Sequence, residues 1–248
     1  MAYYCKFFFF FISYNFFSVL SAQQNLFNIP SGDITPEKKF FYQHQLNFYS
    51  DKFESKSHIV YGLGKGWDIG FNLINSGFSL QKQHLFKFQE APVSETPLQP
   101  IALFTAQKSF KLHEKFQFNI GTQLGSNINR YSDNLRFAHY SYGVGLLEVF
   151  NHWKITFGGY YSNDIIKGRG NDAGFLFGYE IPIVSHKFYL MADFISGNNS
   201  QGISAIGFMI PANKKVQFCL GAIVPNINNS KGEYGVVFEL NLLGWDYW

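Results

Sequence analysis

After residue 39 the chain alternates apolar and polar positions in stretches of about ten residues, the strand length of membrane barrels, each closed by a turn. Trp67-Asp-Ile-Gly-Phe-Asn-Leu73 and Phe116-Gln-Phe-Asn-Ile-Gly-Thr-Gln-Leu124 are the clearest cases. A period of two sends successive side chains to opposite faces of a strand. One face therefore carries Trp, Ile, Phe and Leu, and the other Asp, Asn, Gln and Gly. A soluble sandwich alternates too, but it hides its apolar face and seldom needs so many bulky aromatics. Apolar outside with polar inside is the pattern of a membrane-spanning β-barrel.

The pattern predicts twelve strands, over roughly 40–50, 57–64, 67–75, 100–109, 116–125, 136–148, 153–162, 172–182, 187–196, 203–211, 216–225 and 233–243. No helical period interrupts them, so 40–248 reads as one all-β domain, a single antiparallel up-and-down transmembrane barrel. Tight turns at Gly64–Gly66, Lys111–Lys115, Asn151-His152, Ser185-His186 and Ala212–Lys215 fall at every second junction. Longer or polar loops occupy the others: Ser50–Ser55, Gly77–Pro97, Ser126–Leu135, Asn163–Gly170, Gly197–Gly202 and Asn226–Gly232. Short periplasmic turns against longer outer loops, with both termini in the periplasm, require an even strand number. Twelve satisfies this. Ten is the alternative, because 101–109 alternates least decisively.

Face assignment follows from the period. Outward fall Ile59, Tyr61, Leu63, Phe175, Phe177, Ile181, Leu190, Phe194, Phe218, Leu220, Phe238, Leu240 and Leu242. The lumen-lining candidates are Gln43, Gln45, Asn47, Asp68, Asn72, Gln117, Asn119, Gln123, His139, Ser141, Lys154, Thr156, Glu180, Asp193, Gln217, Glu239 and Asn241. Glycines recur among inward positions, including Gly62, Gly121, Gly143, Gly145, Gly178 and Gly221. They make room for facing side chains or for a passage. About eight strands are just filled by side chains and sixteen leave a channel, so twelve does not decide the bore. Trp67, Trp153, Tyr179, Phe188 and Trp248 fall at comparable levels and form a membrane-interface girdle, where an amphipathic ring keeps its polar edge wet.

Composition adds targeting. Lys6, an apolar run from Phe7 to Leu20, and Ser21-Ala22 before Gln23-Gln24 have the layout of a secretory signal peptide over 1–22. Residues 23–39 carry Pro30 and Pro36 and no clean period, and read as a periplasmic N-terminal lead-in. Cys5 falls within the signal, which leaves Cys219 alone and excludes an internal disulfide. A net charge of +3 with scattered Lys and Arg gives no nucleic-acid partner. No cofactor or metal is expected.

Several short constellations bear on chemistry. Gly62-Leu-Gly-Lys-Gly66 lacks the Gly-Lys-Ser/Thr ending and following helix of a phosphate loop, and reads as a turn. Asp164 and Asp172 around Gly168-Arg-Gly170 are too few oxygens to require calcium. Asp68, Glu180, Asp193 and Glu239 against Lys154 would either bias ion passage or plug a narrow lumen through ion pairs. The segment 77–99 is the longest loop and is read as a constriction, a raised hairpin or a partner site.

Signal, strands and C-terminal aromatic together resemble Gram-negative outer-membrane β-barrel proteins, most like small channel or transporter barrels. Phe238, Leu240, Leu242 and Trp248 look like the terminal assembly signal of that class, while Gly244 and Asp246 depart from it. The resemblance implies outer-membrane lipid, the barrel-assembly machinery and a small solute as partners, and passive transport without enzymatic chemistry. A closed structural or partner-binding barrel in an envelope complex is the alternative. A third reading rests on His139-Tyr-Ser141, which resembles the His-x-Ser strand of outer-membrane phospholipases without their Asn-Gly-Arg continuation. With Tyr140 and Tyr142 toward lipid, His139 and Ser141 would face the lumen, whereas that family's site faces lipid.

Overall fold

The computed structural model describes residues 25–79, 100–128, 135–150, 153–227 and 232–248. The expected signal over 1–22 and most of the 77–99 loop lie outside them. Twelve strands form: β1 Phe40–Phe48, β2 Lys52–Gly64, β3 Trp67–Ser79, β4 Ile101–His113, β5 Phe116–Asn127, β6 Phe137–Glu148, β7 Lys154–Ser162, β8 Ala173–Val184, β9 Phe188–Ile195, β10 Ile203–Asn213, β11 Val216–Pro225 and β12 Gly235–Leu243. Each pairs antiparallel with its neighbours in sequence, and β1 pairs with β12 from Phe41↔Leu243 to Phe48↔Val236, closing the barrel. Closure removes the unpaired edges that an open sheet would present. The ten-strand alternative is excluded, because β4 pairs along both β3 and β5.

The start of β1, the C-terminal end and the described tight turns share one rim, here the turn side; the longer connections lie on the loop side, and the turn expected at Asn151-His152 lies outside the described residues. A positive φ at Lys65 (51°), flanked by Gly64 and Gly66, makes the β2–β3 turn possible. The strand β2 begins at Lys52, earlier than its alternation suggests. A bulge between Ser55 and Ser57, opposite Asn75 at φ 57°, breaks the period there.

Bulky apolar side chains cover the exterior: Phe104 is 72% exposed, Phe175 76% and Leu220 55%. Their partners in the alternation are buried, among them Asp68, Asn119, Thr156, Glu180, Gln217, Glu239 and Asn241. This inversion of the soluble rule is the expected outcome where the outer solvent is lipid.

Two findings depart from the sequence reading. The lead-in is not a segment beside the barrel, because residues 25–36 run inside it and Leu26, Phe27 and Ile29 are almost wholly buried. The second concerns β6, where the alternation is out of phase with expectation. Ala138, Tyr140, Val144 and Leu146 point inward and are buried, and His139 and Ser141 point outward. Gly143 and Gly145 follow them, since a Cβ on either would meet the exterior rings of Phe118, Phe116 or Phe157. Tyr is amphipathic and reads either way in a period; here Tyr142 turns inward to donate to Gln107 Oε1 over Gly121, which leaves no room for a Cβ.

At the other end β12 stops at Leu243, one residue before the break in alternation at Gly244. Trp245 and Tyr247 fold back under the turn-side rim and are buried, with Trp245 against Phe41. The tail is fixed by Gly244 N–H on Phe40 O and Tyr247 N–H on Lys214 O.

Candidate functional site

The segment 25–36 contains four large apolar side chains, two prolines and a glycine at positive φ, Gly32 (89°). It cannot continue a ladder, so its backbone groups need other partners once dehydrated. It turns back on itself at Leu26–Ile29, where Leu26 N–H donates to Ile29 O. The barrel wall supplies the remaining partners. Asp193 accepts the Asn28 and Ile29 backbone N–H groups and the Asn28 side-chain amide. Asp68 accepts Thr35 N–H at 3.1 Å, Thr156 Oγ1 donates to Ser31 O at 2.6 Å, and Gln107 Nε2 to Asp33 O at 2.8 Å. Gln117 Nε2 reaches Gly32 O. Anionic acceptors and amide donors thus read the plug backbone as a strand partner would.

Apolar seating is the larger energy. Burying Leu26, Phe27 and Ile29 contributes about 1.5–3 kcal/mol each, against roughly 1 kcal/mol net for an ordinary hydrogen bond. The seats are wall glycines: a Cβ on Gly178 would lie 2.4 Å from Leu26 Cδ1 and one on Gly221 2.9 Å from Phe27 Cζ. On Gly62 it would strike the Pro36 carbonyl oxygen at 2.1 Å. Inward glycine here makes room for the chain's own N-terminal segment.

An ionic cluster underlies the plug. Asp33 Oδ2 lies 3.3 Å from Lys154 Nζ, both nearly dehydrated. Glu180 is close by and accepts from Tyr247 of the folded-back tail at 3.3 Å. Burial raises the Asp33 carboxyl to about 6, opposed by the charge of Lys154 and reinforced by that of Glu180. Breaking such a pair from one side strands the other charge.

Above the plug, toward the loops, the bore opens into a cavity of about 470 Å³. Its floor is Asn25, Phe27 and Asn28, and Gln43, Gln45, Asn72, Gln123, His58 and Tyr140 stand in its wall. The loop side is partly covered by α1, the single helical turn Asp164–Lys167, followed by Gly168 and Arg169. Asn163 and Asp164 begin that turn, and Lys167 holds its end by donating to the Gly168 and Gly170 carbonyls and pairing with Asp172.

Of the lumen candidates, Gln43, Gln45, Asn47, Asp68, Asn72, Asn119, Lys154, Thr156, Glu180, Asp193, Gln217, Glu239 and Asn241 are buried, and Gln117 and Gln123 half-buried, in the interior. His139 and Ser141 lie on the outer wall, where His139 Nε2 and Ser141 Oγ are 2.7 Å apart and Ser141 also meets Thr122 Oγ1 at 2.9 Å. Trp67, Trp153, Tyr179, Phe188 and Trp248 sit outside near the turn-side rim, Phe188 stacked on Phe208 and Trp248 against His186. Sequence reasoning missed Leu26, Phe27, Ile29, Asp33, His58, Gln107 and Tyr140. A usable signal existed for the first three: a short apolar cluster ended by Pro30, with no strand of its own, must be buried elsewhere.

No family model matches the chain, and no curated protein matches it. Among solved structures, it is similar to an outer membrane channel from Pseudomonas putida F1 (TM-score 0.49, 10% identity, covering 84% of this chain and 96% of that one). It is also similar to outer membrane phospholipase A from Escherichia coli (0.45, 12%, 86% and 94%). A third similar structure is the outer membrane channel DcaP of Acinetobacter baumannii (0.35, 8%, 83% and 96%). On its own geometry, a closed even-stranded barrel with an apolar exterior, the chain has the architecture of an outer-membrane β-barrel.

Proposed function

We propose that this protein is an outer-membrane barrel for small solutes whose passage is closed at rest by its own N-terminal segment. The exposed apolar exterior and the rim aromatics support the membrane location. The carrying observation is how the plug is held: residues 25–36 fill the turn-side bore through side-chain contacts, while all twelve strands pair without them. Such a plug can leave while the wall stays intact. The reading joins the two readings of the sequence, a channel and a closed barrel, as two states of one molecule. Conductance in planar bilayers tests it. Full-length protein is expected to be nearly silent, and a chain lacking 25–36 to conduct. Gly178→Leu, which fills the seat of Leu26 from the wall, should open the bore with every plug residue present. Silence of both variants, with barrel folding verified by circular dichroism, would overturn the reading.

The outward position of His139 and Ser141 favours a second reading, hydrolysis of a lipid ester at the barrel surface. A nucleophile needs a base in hydrogen-bond reach and a third group that orients the base. The first is present. Asn163 holds the His139 backbone N–H and the Phe137 carbonyl. A matching exterior pair, His44 and Ser57 at 2.9 Å, supplies an internal control. Phospholipid hydrolysis lost in Ser141→Ala and retained in Ser57→Ala would support this reading; no hydrolysis by the unmodified protein would end it.

A further inference from the structure

Positive charge on the turn-side rim is concentrated on one arc of the wall. Lys38 and Lys39 precede β1, and Lys65 stands in the β2–β3 turn. Lys108 and Lys111 lie on the turn-side end of β4, and Lys115 follows in the β4–β5 turn. Backbone bonds tie these pieces together: Lys38 N–H donates to Gly62 O and Ser109 N–H to Gly66 O, both at 2.8 Å. Six lysines therefore stand side by side with two carboxylates among them, Glu37 and Glu114. Their excess is larger than the +3 of the whole chain, so the remainder of the molecule is on balance acidic. Glu148, next along the rim, is opposite Lys154 in register and faces the bore.

The wall itself does not neutralise these lysines. Lys38, Lys39, Lys65, Lys111 and Lys115 are exposed, and Lys38 has a loose contact with Glu37 at 3.7 Å. Among the described residues no carboxylate pairs with the other five. Lys108 sets the level of the arc. It lies on the outer wall, its Nζ 5.4 Å from the ring centres of Trp67 and Phe110, and donates to Lys65 O. Both rings are exposed on the lipid-facing side, as are Leu63 and Leu112. An aliphatic stem laid over lipid-facing rings, with its ammonium at the turn, is a snorkelling lysine. The ammonium groups thus stand where the apolar wall ends, at headgroup depth.

Like charges crowded at one edge repel one another unless counter-charges gather there. Lysine is a compact, hydrated point charge and suits phosphate without a fixed fork geometry. A leaflet carrying anionic headgroups supplies such phosphates at this depth. A soluble acidic protein would need an apolar anchor beyond the rim, whereas the apolar residues of this arc lie on its lipid side. We propose that the arc from Lys38 to Lys115 binds the anionic phospholipid headgroups of the turn-side leaflet. The inference rests on the membrane location in the reading above, not on conduction.

Native mass spectrometry of the full chain in neutral detergent, offered equal phosphatidylglycerol and phosphatidylcholine, tests it. At least a fivefold excess of retained phosphatidylglycerol is expected, and about 0.5 M salt during lipid exchange should abolish it. Lys65→Gln, Lys111→Gln and Lys115→Gln together should cut the excess at least threefold. Lys108→Met, which keeps the stem over the rings and loses the charge, should lower it as well. Lys187→Gln, Lys214→Gln and Lys215→Gln together remove the same charge from the opposite side of the rim and should leave most of the excess. Equal retention of both lipids, or an equal fall in the two triple variants, would overturn the arc. Tighter binding of polyglutamate than of phosphatidylglycerol would overturn it too, and assign the lysines to an acidic protein. Flotation with phosphatidylcholine vesicles separates the two failures. A chain that inserts there without preferring anionic lipid loses only the arc, whereas one that does not insert loses the membrane reading itself.

Discussion

The two halves of the bore are lined by the same kinds of side chain and end in opposite states. On the turn side, Asp68, Gln107, Gln117, Thr156 and Asp193 meet a backbone that enters to be bound. On the loop side, Asn72 and His58 meet a cavity and keep unpartnered atoms. Polar lining alone therefore specifies neither a pore nor a plug. What decides is whether another part of the chain supplies groups in register with the wall. In the filled half the inserted segment also supplies an apolar component, Leu26, Phe27 and Ile29 against glycine seats.

Substitutions that exchange the character of the two halves test this contrast. Phe27→Ala has the largest expected effect, a loss of about 3–5 kcal/mol in plug docking, the usual cost of removing a buried aromatic. Hydrogen exchange should then show residues 26–35 deprotected while strand amides remain slow. Asp193→Ala comes next. It leaves the Asn28 and Ile29 N–H groups without their acceptor and should cost roughly 2–3 kcal/mol in the same measurement. Asn72→Leu in the hollow half should behave differently, changing thermal stability by less than about 1 kcal/mol, because its acceptor oxygen is already unsatisfied and the one bond it loses, to Gln123, is long at 3.3 Å.

The smallest effect is a pH slope. Burial holds the Asp33 carboxyl at about 6 against an ordinary value of 3.8. The docked plug therefore binds more protons than the released plug between these values. Docking is favoured by acid and weakens as pH rises from 3.8 through 6, levelling off above. The groups facing Asp33 are Lys154, Glu180 and Tyr247. Exchange protection of the plug followed from pH 4 to 7 should show this decline, and Asp33→Asn should flatten it. A slope unchanged in Asp33→Asn would assign it to another group.

Much of the wall was legible residue by residue. Trp67–Leu73 and Phe238–Leu242 alternate without interruption, and each apolar position there faces outward. The phase of β6 was not legible. Ala138, Val144 and Leu146 are apolar residues facing a bore that would be polar if water-filled; all three are buried in it, and on the turn side the plug makes the bore a core. Leu146 lies against Gly32, where a Cβ would be 2.9 Å from the leucine Cβ. Tyr140 and Tyr142 fit either solvent, so local pattern could not correct the phase. His139 and Ser141 moved with them to the exterior.

The sequence by itself determined the strand count, the turn-and-loop alternation and the apolar exterior, because these follow from a period of two meeting lipid, a condition each strand satisfies locally. Only the tertiary structure decided the contents of the bore. The contact that joins Asn28 to Asp193 spans 165 residues, and no window along the chain contains both partners. A segment without period of its own took its shape from glycine seats, carboxylates and amides brought together only when the barrel closed.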